Sequence, residues 1–171
     1  ISVLVVDDSG FFRRRLTEIL NATGEIKVVA TATNGRDAID LVKKLHPDVV
    51  TMDYEMPVMD GITALRHIMA TEPTPVLMFS SLSYEGARVT LDALEAGAVD
   101  FLPKNFEDIS RDTSKMQEIL KQRIISVARS SVGNKRDKPA IHAEEAKAPT
   151  THTSALKSTL EKTNGSTRRV A

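Results

Sequence analysis

The chain of 171 residues contains no cysteine and no tryptophan, and aromatics make up only 4% of it. Without cysteine there is no disulfide framework, no thiolate zinc site and no cysteine nucleophile. No apolar run exceeds five residues, far short of the roughly 18–20 that span a bilayer as a helix. No charged-then-apolar segment at the start reads as a secretory signal, so a cytoplasmic setting is the expectation. Net charge is also absent, with 23 Lys and Arg against 23 Asp and Glu. That balance argues against bulk attraction to nucleic acid or anionic lipid, and the shortness of the apolar runs argues against membrane insertion. Nor does a Gly-rich phosphate loop of the usual nucleotide-binding kinds occur.

The neutral total hides a division. Residues 1–130 carry 15 basic and 19 acidic side chains, a net −4, whereas 131–171 carry 8 and 4, a net +4. All seven Phe and Tyr and all six Met lie in the first part. The last 41 residues hold ten Ser and Thr but only Val132, Ile141, Leu156, Leu160 and Val170 as larger aliphatics. So few apolar groups do not offset the ordering of a chain, roughly 1–2 kcal/mol per residue. The expectation is an organised domain over 1–130 and a flexible linker or tail over 131–171.

Within the organised part, short apolar runs recur at 3–6 (VLVV), 28–30 (VVA), 49–52 (VVTM), 76–79 (VLMF) and 98–102 (AVDFL). Runs without polar alternation suit strands buried on both faces of a parallel sheet. Between them lies helical spacing. Phe12, Leu16, Ile19 and Leu20 share one face; so do Ala38, Leu41, Val42 and Leu45, and then Ile62, Leu65, Ile68 and Met69. Val89, Leu91 and Leu94 mark a fourth helix stopped at Gly97, and Met116, Ile119, Leu120, Ile124 and Val127 a fifth. Ser114 with Gln117 three residues on resembles a capping box for the fifth. Five strand–helix units predict an α/β fold, a doubly wound parallel sheet with helices on both faces.

Ligand sites in such sheets lie beyond the carboxyl ends of the strands. The polar residues that follow each run therefore belong together: Asp7 and Asp8, Asp53, Ser80 and Ser81, and Lys104. Close carboxylates repel one another unless a cation sits among them, and an all-oxygen set suits Mg²⁺ before zinc or copper. A carboxylate also acts as nucleophile toward phosphorus. A transferred phosphoryl group needs its equatorial oxygens neutralised, which Mg²⁺ on one side and Lys104 on the other would do, with Ser80 as a hydroxyl donor. Asp53 follows the central run and is the nucleophile candidate; Asp7 and Asp8 are the metal anchors. Taken singly, each residue has a plainer reading. Asp8 or Ser9 suits the N-cap of the first helix, Ser80 a turn hydroxyl, and Lys104 a solvated charge. The functional reading rests on four strand ends supplying compatible chemistry. Arg13-Arg14-Arg15 reads as a solvated helix face, with a docking patch as the alternative. The middle methionines read as core filling, and Phe101 as core or as an aromatic that responds to the site.

At these residues the chain resembles the receiver domains of two-component response regulators. Asp7-Asp8, Asp53, Ser80, Phe101 and Lys104 match the acidic pair, phosphoacceptor, hydroxyl, switch aromatic and lysine, and 56–61 (MPVMDG) match the loop after the phosphoacceptor. The resemblance spans residues 2 to about 128. It implies a flavodoxin-like (βα)5 fold with strand order 2-1-3-4-5. It also implies Mg²⁺ held by Asp8, Asp53 and the Glu55 backbone carbonyl, with Asp7 acting through water, and a sensor histidine kinase as phosphodonor.

A narrower likeness lies in 74–82 (TPVLMFSSL) and 86–104 (GARVTLDALEAGAVDFLPK), which are similar to the receiver of the chemotaxis protein-glutamate methylesterase. That family joins a receiver through a variable linker to a C-terminal hydrolase, which removes methyl esters from chemoreceptor glutamates and deamidates receptor glutamines. By this likeness the chain is the N-terminal piece of such an enzyme, with its own hydrolase domain and the methyl-accepting chemoreceptors as partners. Receivers usually carry proline directly after the lysine; here Asn105 follows Lys104 and Pro103 precedes it. The alternative is a stand-alone receiver that acts as a phosphorylation-dependent binding module. A Mg²⁺-dependent phosphohydrolase fits less well, because Glu55 stands where such enzymes place a second Asp as general acid. No recognition-helix pattern over 131–171 supports a transcription factor.

Overall fold

A computed structural model of the chain describes residues 1–81, 86–104 and 112–136, with 86, 87, 89 and 131–136 described by backbone only. Five strands are present among them: β1 (Ser2–Val6), β2 (Lys27–Ala32), β3 (Val49–Asp53), β4 (Val76–Ser80) and β5 (Asp100–Pro103). They alternate with α1 (Gly10–Asn21), α2 (Gly35–Leu45), α3 (Gly61–Thr71), α4 (Gly86–Glu95) and α5 (Thr113–Arg136). The strands form one parallel sheet in the order β2-β1-β3-β4-β5. This is the expected doubly wound flavodoxin-like fold.

The sheet separates two apolar layers. Leu4, Val6, Val50, Met52, Val76 and Met78 pack against α2, α3 and Ala93 of α4. Val3, Val5, Val49, Leu77 and Phe79 pack against α1 and α5. Alternate residues of each inner strand thus serve opposite layers, which is why the runs are apolar without a break. Met52 and Met78 lie in the first layer, with Met56, Met59 and Met69 against it. At the edge, β2 slips by one residue: Val3 pairs with Val28 but Leu4 with Ala30. Val29 is the extra residue of that bulge and stays 37% exposed.

One expectation needs correction. Ser114 does not cap α5. The helix starts at Thr113, and Asp112 caps it, its Oδ1 accepting from the Lys115 N–H at 3.0 Å. The carboxylate, two residues earlier, adds about half a turn that a Ser114 cap would have lost. Helix α5 runs on to Arg136. The part of the expected tail beyond 136 lies outside the described residues. Among the described side chains of α4, Leu91 and Leu94 are 62% and 46% exposed and Ala93 is the one buried in the core.

Candidate functional site

The carboxyl ends of β1, β3 and β5 bring Asp7, Asp53 and Lys104 into contact. Asp53 is the last residue of β3, locked between β1 and β4, so its side chain leaves the sheet at the centre of that edge. It is 5% exposed. Asp7 directly follows β1; its N–H donates to the Ala32 carbonyl at 3.0 Å and its Oδ1 accepts from the Ser9 N–H at 2.9 Å. Ser9, the second of the two candidate caps, is the one used: its hydroxyl accepts from the Phe12 N–H. Asp8 is left exposed at the rim, free of capping duty. Lys104, one residue past β5, is anchored by its N–H on the Ser80 carbonyl at 2.7 Å. Its Nζ lies 2.6 Å from Asp7 Oδ2 and 2.7 Å from Asp53 Oδ2.

The charges do not balance. One oxygen from each of Asp7, Asp8 and Asp53 lies within 4.8 Å of the others, and among the described residues Lys104 is the one ammonium in contact with them. Burial pushes the Asp53 carboxyl up to about 6; the Lys104 hydrogen bond pulls it down, while the Asp7 and Asp8 charges push further up. Burial likewise raises Asp7, against the pull of Lys104. Asp7 Oδ2 has the Lys104 charge beside it but no hydrogen bond in good geometry. Three converging carboxylate oxygens, one of them short of a donor, fit a hard divalent cation.

Ser80 ends β4, buried, and its hydroxyl donates to the Ser81 carbonyl rather than into the acidic cluster. Phe101 pairs in register with Met78 and packs, half-buried, on the layer of α2 and α3. Glu55 is exposed in the stretch after β3. The peptide between Lys104 and Asn105 lies outside the described residues, but Pro103 sits at the end of the edge strand β5, where a missing N–H costs no ladder bond.

Two neighbours were not expected. Phe12 lies under Lys104, with Nζ 4.7 Å from its ring centroid, and meets Phe79 edge-on at 5.6 Å. The apolar spacing of α1 marked Phe12 only as core. Arg13 donates from Nη1 to the Asp7 carbonyl at 2.8 Å, so the basic triplet is not one solvated face. Its position six residues after Asp7 was the available signal, since a long side chain in the second turn reaches back past the helix start. In the loop that follows Asp53, Val58 holds φ +69° while 84% exposed. Next to it, a Cβ on Gly61 would stand 2.1 Å from the Asp53 carbonyl oxygen, so only glycine lets α3 begin that close to β3.

The model of the response regulator receiver domain matches residues 3–114. The chain belongs to that family. Curated relatives include a protein-glutamate methylesterase/protein-glutamine glutaminase of Pseudomonas fluorescens, 69% identical over 131 residues, covering 77% of this chain and 35% of the relative. Another, from Pseudomonas aeruginosa, is 67% identical over 131 residues, covering 77% and 36%. This receiver chain therefore spans about a third of the length of the relatives it matches. Among solved structures, the response regulator domain of Thermotoga maritima CheB is 44% identical with a TM-score of 0.68, covering 75% of this chain and 96% of that one. A chain of the CheX–CheY–BeF3–Mg complex from Borrelia burgdorferi matches with 36% identity and a TM-score of 0.62, over 74% of this chain and 88% of that one. Among the described residues no helix of the receiver is long and apolar enough to cross a membrane.

Proposed function

We propose that this receiver accepts a phosphoryl group on Asp53 from a sensor histidine kinase in the cytoplasm. Through it, the chain controls a C-terminal protein-glutamate methylesterase/protein-glutamine deamidase domain that acts on methyl-accepting chemoreceptors. The observation that carries the phosphoacceptor assignment is the sharing of one buried ammonium by Asp7 and Asp53, at 2.6 and 2.7 Å. The hydrolase assignment is supported by the likeness to methylesterases at 67–69% identity.

In this reading an Asp53 carboxylate oxygen attacks phosphorus and the bond to the kinase's histidine nitrogen breaks, giving an aspartyl phosphate. A carboxyl with a value of about 6 is mostly ionised at neutral pH and remains a competent nucleophile. Lys104 then follows the charge from the carboxylate to a phosphoryl oxygen. Ser80 exchanges its bond to the Ser81 carbonyl for one to the phosphoryl group. Asp8, Asp53 and the Glu55 backbone carbonyl would hold Mg²⁺, with Asp7 acting through water. When bound, that ion supplies positive charge for the phosphoryl oxygens. Phe101 responds to the movement of Ser80. The exposed Leu91 and Leu94 of α4, with Val99 and Ile119, supply apolar surface for the hydrolase domain.

Labelling with acetyl phosphate in Mg²⁺ tests the assignment. Asp53→Asn should abolish incorporation; undiminished labelling of the variant at another carboxylate would sink it.

A further inference from the structure

The three arginines of the basic triplet do different things. Arg14 is exposed, and Arg15 reaches sideways to Glu18 and the Thr113 hydroxyl. Arg13 alone turns back over the start of α1. It is part-buried, and a Cβ on Gly10 would stand 3.7 Å from its Nη2, so the guanidinium lies across that glycine on its way to the Asp7 carbonyl. Asp7 is thereby held at every polar atom of its backbone. Its N–H donates to Ala32, and its carbonyl accepts from Arg13 at 2.8 Å. Asp8, by contrast, is exposed and its carboxylate takes no hydrogen bond from the described residues. The direction in which the Asp8 side chain leaves the chain is set by the Asp7–Asp8 peptide, and Arg13 is the side chain that grips that peptide.

We infer that Arg13 is a positioning residue for the divalent-cation site: by holding the Asp7 carbonyl it aims the Asp8 carboxylate at the point shared with Asp7 and Asp53. This rests on the reading of the acidic cluster as a Mg²⁺ site. Charge and geometry make opposite demands here, which gives the inference a sign. Arg13 is a cation beside a cation site, so by charge alone its removal strengthens Mg²⁺ binding. As an outer support of a metal ligand, its removal weakens binding, by about tenfold for partners of this kind.

The test is calorimetric titration of the whole chain with MgCl₂, without phosphodonor, in wild type, Arg13→Met and Arg14→Met. Positioning expects Arg13→Met to bind about tenfold more weakly, while Arg14→Met, which removes the same charge from the next position, stays at the wild-type affinity. The Asp8 amide resonance should also shift in Mg²⁺-free Arg13→Met, which a change in charge screening of the ion would not produce. Equal or tighter binding by Arg13→Met overturns the inference while leaving the cation reading intact. No binding by wild type overturns both. Should Arg13→Met fail to fold, Arg13→Lys decides: it keeps the charge but loses the reach and fork of the guanidinium. Positioning then expects weaker binding, and unchanged affinity overturns it.

Discussion

Thr51 sits two residues before Asp53 on the same strand, 1% exposed, and its hydroxyl has no hydrogen-bond partner. Its register neighbours are Val5 on β1 and Leu77 on β4, both in the layer of α1 and α5. A buried hydroxyl without a partner forfeits its hydration and gains nothing in return. Thr51→Val keeps the shape and removes that cost, so it should stabilise the domain by about 1 kcal/mol in urea denaturation. A loss of stability would mean that the hydroxyl is satisfied after all. Val58 carries a cost of another kind. A β-branched residue at φ +69° strains its own backbone by roughly 1–2 kcal/mol. Glycine relieves that strain but loses more chain entropy, so Val58→Gly should gain only about 0.5–1 kcal/mol. An unchanged or lower unfolding midpoint would show that the loop does not impose this geometry. Both residues lie within a few positions of Asp53, where sequence pattern speaks only of core and turn.

Strands β1, β3 and β4 were legible as elements because they are buried on both faces, so that between their ends only Thr51 is polar. Helices α1, α2 and α3 were legible by their apolar spacing. Helix α4 was legible as an element but not in its orientation: among its described side chains, Ala93 is buried and the leucines face out. Apolar periodicity assumes that the larger side chains go inside, and a helix that offers them to a partner defeats the assumption. The start of α5 misled for a related reason, since Ser114 and Asp112 are both good caps by residue type and only the backbone decides between them. Their variants should differ in sign. Asp112→Ala should cost about 1 kcal/mol by removing the acceptor for the Lys115 N–H. Ser114→Ala should be neutral or mildly stabilising, because alanine is the better residue inside a helix. The opposite order of unfolding midpoints would return the cap to Ser114. At the site, the residue types and their strand ends were legible, whereas the support from Phe12 and Arg13 was not, because both sit in a helix pattern that explains them without the site.

The whole domain carries the burial of its acidic edge, and the repulsion within it, as a loss of stability that has a pH window. A carboxyl whose folded-state value lies above its unfolded one binds more protons folded than unfolded between the two. Stability is then full below the unfolded value and falls as pH rises through the folded one. Asp53, raised by burial from 3.8 to about 6, places that window at about pH 4–6, and Asp7 is raised in the same direction. The size of the Asp53 shift corresponds to about 3 kcal/mol. Asp60 has the opposite sign. Its partial burial raises it, but the Thr63 N–H and hydroxyl outweigh burial and hold it below 3.8, so its contribution is lost only as pH falls under that value. The two windows do not overlap. In chelator, the urea midpoint should therefore decline from pH 4 to pH 7, and Asp53→Asn should remove most of the decline. At pH 7, Mg²⁺ should raise the wild-type midpoint, since a cation that binds only the folded state adds its binding free energy, part of which is the relief of that repulsion. In Asp53→Asn the rise should be smaller, because one ligand charge and most of the repulsion are already gone. A flat wild-type profile between pH 4 and 7, or an equal decline in the Asn variant, would mean that Lys104 already neutralises the pair and that no stored repulsion is available to favour a cation.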